Sequence, residues 1–176
     1  MTIDAPSFHV RRATLDDVSG IARVHVQSWQ SAYRGQLPED VLDSIDEGKR
    51  TALWLQLLRN TSYVAHVAVR NDIVCGFCSL IRSRDPGTND HTGEIATIYV
   101  DPVHWRSGAG SALMDASVEV ARATGYRAIT LWVLESNLAG RRFYEHFGFA
   151  PDGETKHEQR AGLELFEVRY RLELPA

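Results

Sequence analysis

The sequence has little cysteine: Cys75 and Cys78 are the only two in 176 residues. Two thiols cannot build a disulfide framework, so the expected address is the reducing cytoplasm. No apolar run approaches the roughly 18 residues needed to cross a bilayer, and no membrane partner is expected. The opening residues, MTIDAPSFHVRR, lack the basic start and apolar stretch of a secretory leader. There is no internal repeat, no low-complexity tract and no linker rich in Pro, Gly or Ser, so residues 1–176 are expected to form one domain, at about 150 residues per domain. A net charge of −4 argues against a polyanion partner, and no nucleic acid is expected. Seven histidines are present without an HExxH or comparable ligand spacing, so no metal is expected. Lysine is scarce too: of 19 basic residues only Lys49 and Lys156 are lysines, an excess of arginine with no functional reading.

The Cys75-x-x-Cys78 pair invites a redox or zinc reading, and the sequence argues against both. It lies in a Val/Ile-rich run that reads as a strand, whereas a redox pair normally opens a helix. No second Cys or His pair completes a tetrahedral site. Two buried small hydrophobes are the better account.

What is present is a sequence of distinct periods. Residues 8–12 alternate as a strand. Thr14 and Asp17 resemble a capping box ahead of Leu15, Val18, Ile21, Ala22, Val26 and Trp29 at helical spacing. Pro38 with Glu39 and Asp40 opens a second helix, and TALWLQLL (51–58) a third. Residues 63–70 and 73–82, separated by Asn71-Asp72, predict a hairpin. A strand at 95–100 is followed by the turn Ser107-Gly108-Ala109-Gly110 and a helix to about Thr124, with Asp115, Glu119 and Arg122 outward and Leu113, Met114, Ala116 and Val120 inward. A nearly continuous apolar strand at 129–134 completes a βαβ unit. A helix over about 138–147 and an alternating strand from Phe166 to Leu172 close the chain. The sheet is expected to be mixed, parallel at its centre and antiparallel outside. Ala139, Phe143 and Phe147, spaced by four, are expected to form a core face. The last strand is a candidate edge that could pair two subunits as a homodimer.

Two segments carry chemistry. Gly108 and Gly110 let backbone amides approach an anion at a helix N-terminus, and Arg106 adds a full charge, a plausible pyrophosphate cradle. A tight strand-to-helix turn would use the same residues. Ser111-Ala112 excludes the Walker pattern, and Leu113 excludes the third glycine of a dinucleotide fold. In Asn137–Phe149, Tyr144 leaves the face of Phe143 and either reaches a cleft or sits half-buried on the surface. Asn137 reads as a helix cap.

Taken as a unit, Glu94 to Phe149 resembles the GNAT superfamily of N-acetyltransferases. The strand, the Gly-x-Gly loop, the crossover helix, the Asn and the Phe-Tyr-Glu-x-x-Gly-Phe ending stand at matching intervals, and HVQSWQSAYRGQLP resembles one branch of that superfamily. The resemblance implies an α/β (α+β) fold with a mixed sheet: central parallel strands that splay apart, antiparallel N-terminal strands and flanking helices. It also implies acetyl-coenzyme A as acyl donor. The pantetheine arm would pair with backbone at Ile98, Tyr99 and Val100, and Arg106, Ser107, Gly108, Ala109, Gly110 and Ser111 would hold the pyrophosphate. Asn137 would contact the arm and Tyr144 would lie near the sulfur. One departure is Trp105, which stands where the family loop usually begins with Gln or Arg.

The expected reaction is direct transfer of acetyl to a primary amine of a small molecule or peptide. Such an amine, with a pKa near 10.4, costs about 4.6 kcal/mol to deprotonate at pH 7, so a base is useful. Glu94 is the candidate base, with a solvated strand-end carboxylate as the competing account, and Tyr144 the candidate acid for the thiolate. Trp29 and Tyr33 are candidate acceptor-binding residues, though Trp29 and Trp54 also read as packing residues. Glu39, Asp40, Asp43 and Asp46 could attract a cation or simply face solvent, and Arg141 and Arg142 could reach cofactor phosphates or simply lie exposed. The rival function is a non-catalytic acyl-coenzyme A sensor.

Overall fold

A computed structural model describes residues 8–35, 37–160 and 163–175. Gln36 of the HVQSWQSAYRGQLP segment and the first seven residues, on which the reading of the N-terminus partly rests, lie outside them. The strands and helices are β1 (His9–Arg12), α1 (Val18–Tyr33), α2 (Glu39–Asp43), α3 (Glu47–Arg59), β2 (Ala65–Arg70), β3 (Ile73–Arg82), β4 (Thr92–Val100), α4 (Ala109–Thr124), β5 (Ala128–Leu134), α5 (Leu138–His146), β6 (Ala150–Arg160) and β7 (Leu163–Glu173). Hydrogen bonding orders the seven strands β1-β2-β3-β4-β5-β7-β6. Only β4 and β5 are parallel among the described pairs, through Thr92–Ala128, Gly93–Ile129 and Glu94–Thr130, which is the expected mixed sheet. Among the described residues no helix is long and apolar enough to cross a membrane.

The chain clusters into two units, one running to Ser79 and including Thr97–Ser117, the other comprising Leu80–Ala96 and Val118 onward. The first is built on the β2–β3 hairpin. Asn71 and Asp72 both take positive φ, 51° and 60°, the pairing that a two-residue turn with the right strand twist requires. Val67, Val74 and Phe77 from the hairpin bury against Val18, Ile21 and Val24 of α1 and Trp54 of α3. Fully burying a side chain such as Ile21 or Phe77 is worth about 2 kcal/mol. Asp17 holds the start of α1, accepting the Thr14 N–H at 2.8 Å and a two-pronged bond from Arg11. Asp46 caps α3 by accepting from Lys49 N–H.

In the second unit β5 lies between β4 and β7, and β7 pairs with β5 through residues 167–173 on one side and with β6 through residues 163–171 on the other. This corrects two expectations. The last strand is interior, so the route to a homodimer through an exposed final edge is lost. The edge is β6, a strand that periodicity missed because APDGETKHEQR is polar and carries Pro151 and a bulge before Thr155. The α5 stripe is corrected as well: Ala139 is exposed, and Phe143 and Phe147 are only half-buried, packing on each other at 5.1 Å between ring centres.

Candidate functional site

In the first unit, β4 delivers the chain into the glycine turn. Asp101 N–H donates to the Cys75 carbonyl of β3 at 2.8 Å. In an antiparallel ladder successive residues turn their backbone groups to opposite sides. The groups of Tyr99 therefore point towards β3, and those of Ile98 and Val100 point away from it. Beyond Asp101 the chain makes one 3-10 turn (Pro102–His104), capped by the Asp101 carboxylate through Val103 N–H. Arg106 (φ 60°) and Gly108 (φ 94°) then take left-handed backbone, which explains a glycine at 108. Nothing lies within 4 Å of where a Gly108 Cβ would sit. Gly108 C=O accepts the first helical bond of α4, from Ala112 N–H at 3.0 Å. The amides of Ala109, Gly110 and Ser111 thus fall in the first turn, where an α-helix has no internal acceptor. The turn concentrates N–H groups without a helical acceptor and one guanidinium, an arrangement suited to an anion.

The side chains around the end of β4 come from α1. Ser28 Oγ donates to Val100 C=O at 2.7 Å, and Arg23 bridges the Asp101 carboxylate (2.5 Å) and Val74 C=O (2.7 Å). Trp29 Nε1 donates to Tyr99 Oη at 2.9 Å and its ring lies 4.7 Å from that of Tyr33. The Tyr99 ring stacks on His25, whose Nδ1 accepts from Trp54 Nε1 at 3.2 Å. Burial, and secondarily the charge of Arg50, lowers the His25 pKa to about 4, so the imidazole is neutral with its proton on Nε2. The structure thus brings Trp29, Tyr33 and Tyr99 together. Trp54 is fully buried in the core, the packing role expected of it. Asp46 is a helix cap, and Glu39, Asp40 and Asp43 are exposed.

In the second unit Glu94 is 3% exposed and accepts from Arg84 at three points: the backbone N–H (2.9 Å), Nε (3.3 Å) and a terminal guanidinium nitrogen (2.5 Å). The competing account of a solvated strand-end carboxylate is therefore corrected. Asn137 caps α5, its Oδ1 accepting from Gly140 N–H at 2.9 Å. A Cβ at residue 140 would come within 2.7 Å of Asn137 Nδ2, so the glycine permits this close seat. With Oδ1 used as the cap, the chemistry left to the amide is donation from Nδ2. Tyr144 is half-buried, its ring edge-on to Phe143 and Phe149. Arg141 is tied to Tyr170 Oη and Glu135 C=O, and Tyr170 donates to Glu145, whereas Arg142 is exposed.

Both cysteines are buried and unpaired. Ser117 Oγ donates to Cys78 Sγ at 3.1 Å, yet burial dominates and pushes that thiol up to about 12, far from the range of a nucleophilic thiolate. No cluster of metal-ligating side chains occurs among the described residues. Sequence reasoning missed Ser28, Arg23 and Arg84, and no local pattern announces them.

The profile of the acetyltransferase (GNAT) family matches residues 25–149. An uncharacterised N-acetyltransferase of Bacillus subtilis, YuaI, is 33% identical over 161 residues, covering 90% of this chain and 89% of the relative. Among solved structures, the PaiA N-acetyltransferase of Thermoplasma acidophilum in complex with coenzyme A superposes with a TM-score of 0.71 at 19% identity, covering 96% of this chain and 99% of that one. YncA of Salmonella typhimurium, solved with acetyl-coenzyme A, gives a TM-score of 0.73 at 20% identity over 96% of this chain and 95% of that one. At those identities the structural likeness is one of fold, while the family profile and YuaI relate the sequences themselves. The chain belongs to the GNAT family of acetyltransferases, acyltransferases that draw on acetyl-coenzyme A.

Proposed function

We propose that this protein transfers the acetyl group of acetyl-coenzyme A directly to a primary amine of a small molecule or a peptide, with residues 1–176 acting as one acetyltransferase domain. The observation that carries the reading is the turn into α4, where the left-handed Arg106 and Gly108 lead into amides that have no helical acceptor. A pyrophosphate satisfies those amides and the guanidinium at once. In this reading Arg106, Ser107, Gly108, Ala109, Gly110 and Ser111 hold the pyrophosphate. Backbone groups of Ile98 and Val100 meet the pantetheine arm, and Asn137 offers Nδ2 to it.

The chemistry follows from the amine. At pH 7 the acceptor arrives protonated, and a carboxylate base, directly or through water, lowers the cost of freeing the lone pair. Glu94 takes that role. Its carboxylate is held by Arg84, whose side chain is 68% exposed, so rotation of that side chain can open it. The free amine attacks the thioester carbonyl. The resulting tetrahedral oxyanion is best stabilised by backbone N–H donors. Collapse expels the thiolate, which takes a proton from Tyr144; a thiol pKa near 8.5 makes that step helpful but not obligatory. Trp29 and Tyr33 line the acceptor side.

The test is coenzyme A release across a panel of polyamines, amino acids, aminoglycosides and peptide N-termini. Stimulation by an amine, with a lower kcat in Tyr144→Phe, supports transfer. Acetyl-coenzyme A binding without stimulation by any amine removes the catalytic reading in favour of a sensor.

A further inference from the structure

Val100, the last residue of β4, carries a carbonyl whose two lone pairs are both taken. Ser28 Oγ, itself 3% exposed, donates at 2.7 Å, and the Trp105 indole N–H donates at 2.8 Å. The Ser28 bond ties the strand end to α1. The Trp105 bond closes a loop of five residues, because Trp105 opens the turn that contains Arg106 and Gly108. The chain between them is pinned at its base, by Asp101 N–H on Cys75 C=O and by Arg23 on the Asp101 carboxylate, and at its far side by Ser107 Oγ on His104 C=O at 2.5 Å. Trp105 is 46% exposed, unlike a core tryptophan such as Trp54. Its Nε1 makes the tie while much of the residue stays exposed, so burial alone does not account for its placement.

We propose that Trp105 is a positioning residue for acetyl-coenzyme A: its indole N–H fixes the pyrophosphate turn against the end of the strand that meets the pantetheine arm. This rests on the reading of that turn as the pyrophosphate site. A ligand that touches only the turn gains nothing from the tie. A ligand that spans turn and strand needs both at a set separation, and the ordering cost of bringing them there is met in advance. The tie also assigns the strand contacts. With the Val100 carbonyl filled, the groups that face away from β3 and can pair with the arm are those of Ile98 and the Val100 N–H.

The test is Trp105→Phe, which keeps an aromatic ring and deletes the donor, read by calorimetric titration with coenzyme A and with ADP. One net hydrogen bond corresponds to about a 2- to 10-fold change in affinity. The expected result is a loss of that size for coenzyme A, no change beyond twofold for ADP, and an acetyl-coenzyme A KM raised by the same factor at constant kcat. Equal affinity for coenzyme A in variant and parent overturns the proposal. So does parallel weakening of coenzyme A and ADP, which would mean damage to the turn alone. Failure of the unaltered protein to bind either ligand overturns the pyrophosphate reading, and this proposal with it. Should Trp105→Phe fold poorly, Trp105→Leu, which also deletes the indole donor, serves as the second variant, with the same loss expected for coenzyme A and no change beyond twofold for ADP; equal affinity for coenzyme A in it and the parent likewise overturns the proposal.

Discussion

Lowering the pH should destabilise this protein through one buried imidazole, His25. In the native state its Nδ1 accepts the Trp54 N–H, and its ring is packed between Tyr99, Phe77 and Trp54. Adding a proton at Nδ1 would set two donors against each other and place a charge in an apolar cluster that also feels Arg50. The native pKa is accordingly pulled from 6.5 to about 4. The unfolded chain protonates near 6.5, so between these values it binds more protons than the native one. The contribution of His25 is therefore complete above about pH 6.5 and is lost as the pH falls towards 4. Integrating that difference from pH 7.5 to pH 5 gives a loss of about 2 kcal/mol, a large share of the 5–15 kcal/mol typical of a domain. Urea unfolding followed by far-ultraviolet circular dichroism at pH 7.5 and pH 5 measures it. His25→Gln, which can still offer an oxygen to Trp54 but cannot titrate, should lose about 2 kcal/mol less than the parent over the same interval. His66, which burial pushes in the same direction, is present in both proteins and cancels. Equal losses in the two proteins would refute the reasoning, as would a His25 proton resonance titrating near pH 6.5.

The remaining predictions concern the turn, the cap and the thiols. Gly108→Val puts a β-branched residue at φ 94° and should cost about 1–3 kcal/mol of stability while abolishing the thermal stabilisation that acetyl-coenzyme A gives the parent; retained stabilisation would separate the turn from the cofactor. Asn137→Ala should cost about 1 kcal/mol through loss of the α5 cap, whereas Asn137→Ser, which keeps a capping oxygen, should restore stability and still raise the acetyl-coenzyme A KM severalfold. An Ala/Ser pair that moves KM together with stability would argue that the residue only caps. A thiol reagent should modify neither Cys75 nor Cys78 in the native protein and both after denaturation, since both are buried and Cys78 is held near 12.

What the sequence disclosed of the fold followed the kind of surface each element presents. α1, the β2–β3 hairpin and β5 each bury a face or both faces, so their apolar residues recur at the period of the element. β6 buries little: it borders solvent and pairs only with β7, and its residues carry no period to read. The start of β4 was missed for a different reason. The expected strand began at 95, because neither glycine nor a carboxylate favours a buried strand; yet a Cβ at Gly93 would meet the Tyr126 ring at 2.7 Å, and Glu94 is buried in company with Arg84. On α5 the spacing was right and the inference from it wrong. A helix of nine residues whose neighbours leave it half exposed can carry a phenylalanine stripe that never becomes core.

The same contrast divides the candidate site. The turn proposed to hold a pyrophosphate is written in backbone conformation, and backbone conformation is local. Positive φ at 108 calls for glycine at that very position, and the Asn137 cap needs only its own third neighbour. Those features were legible because the chain must spell them out where they occur. The groups that set the end of β4 obey no such rule. Ser28 reaches Val100 across 72 residues and Trp29 reaches Tyr99 across 70, and any donor of similar reach on α1 would serve as well. The proposed acceptor side, with Trp29 and Tyr33, is of this second kind. On the proposed reading, cofactor recognition in this chain is tied to the backbone of the turn. Acceptor recognition can change through single side chains on α1, whose distant partners leave no pattern to read, so the amine should be sought by varying Trp29 and Tyr33 and not by searching for a further motif.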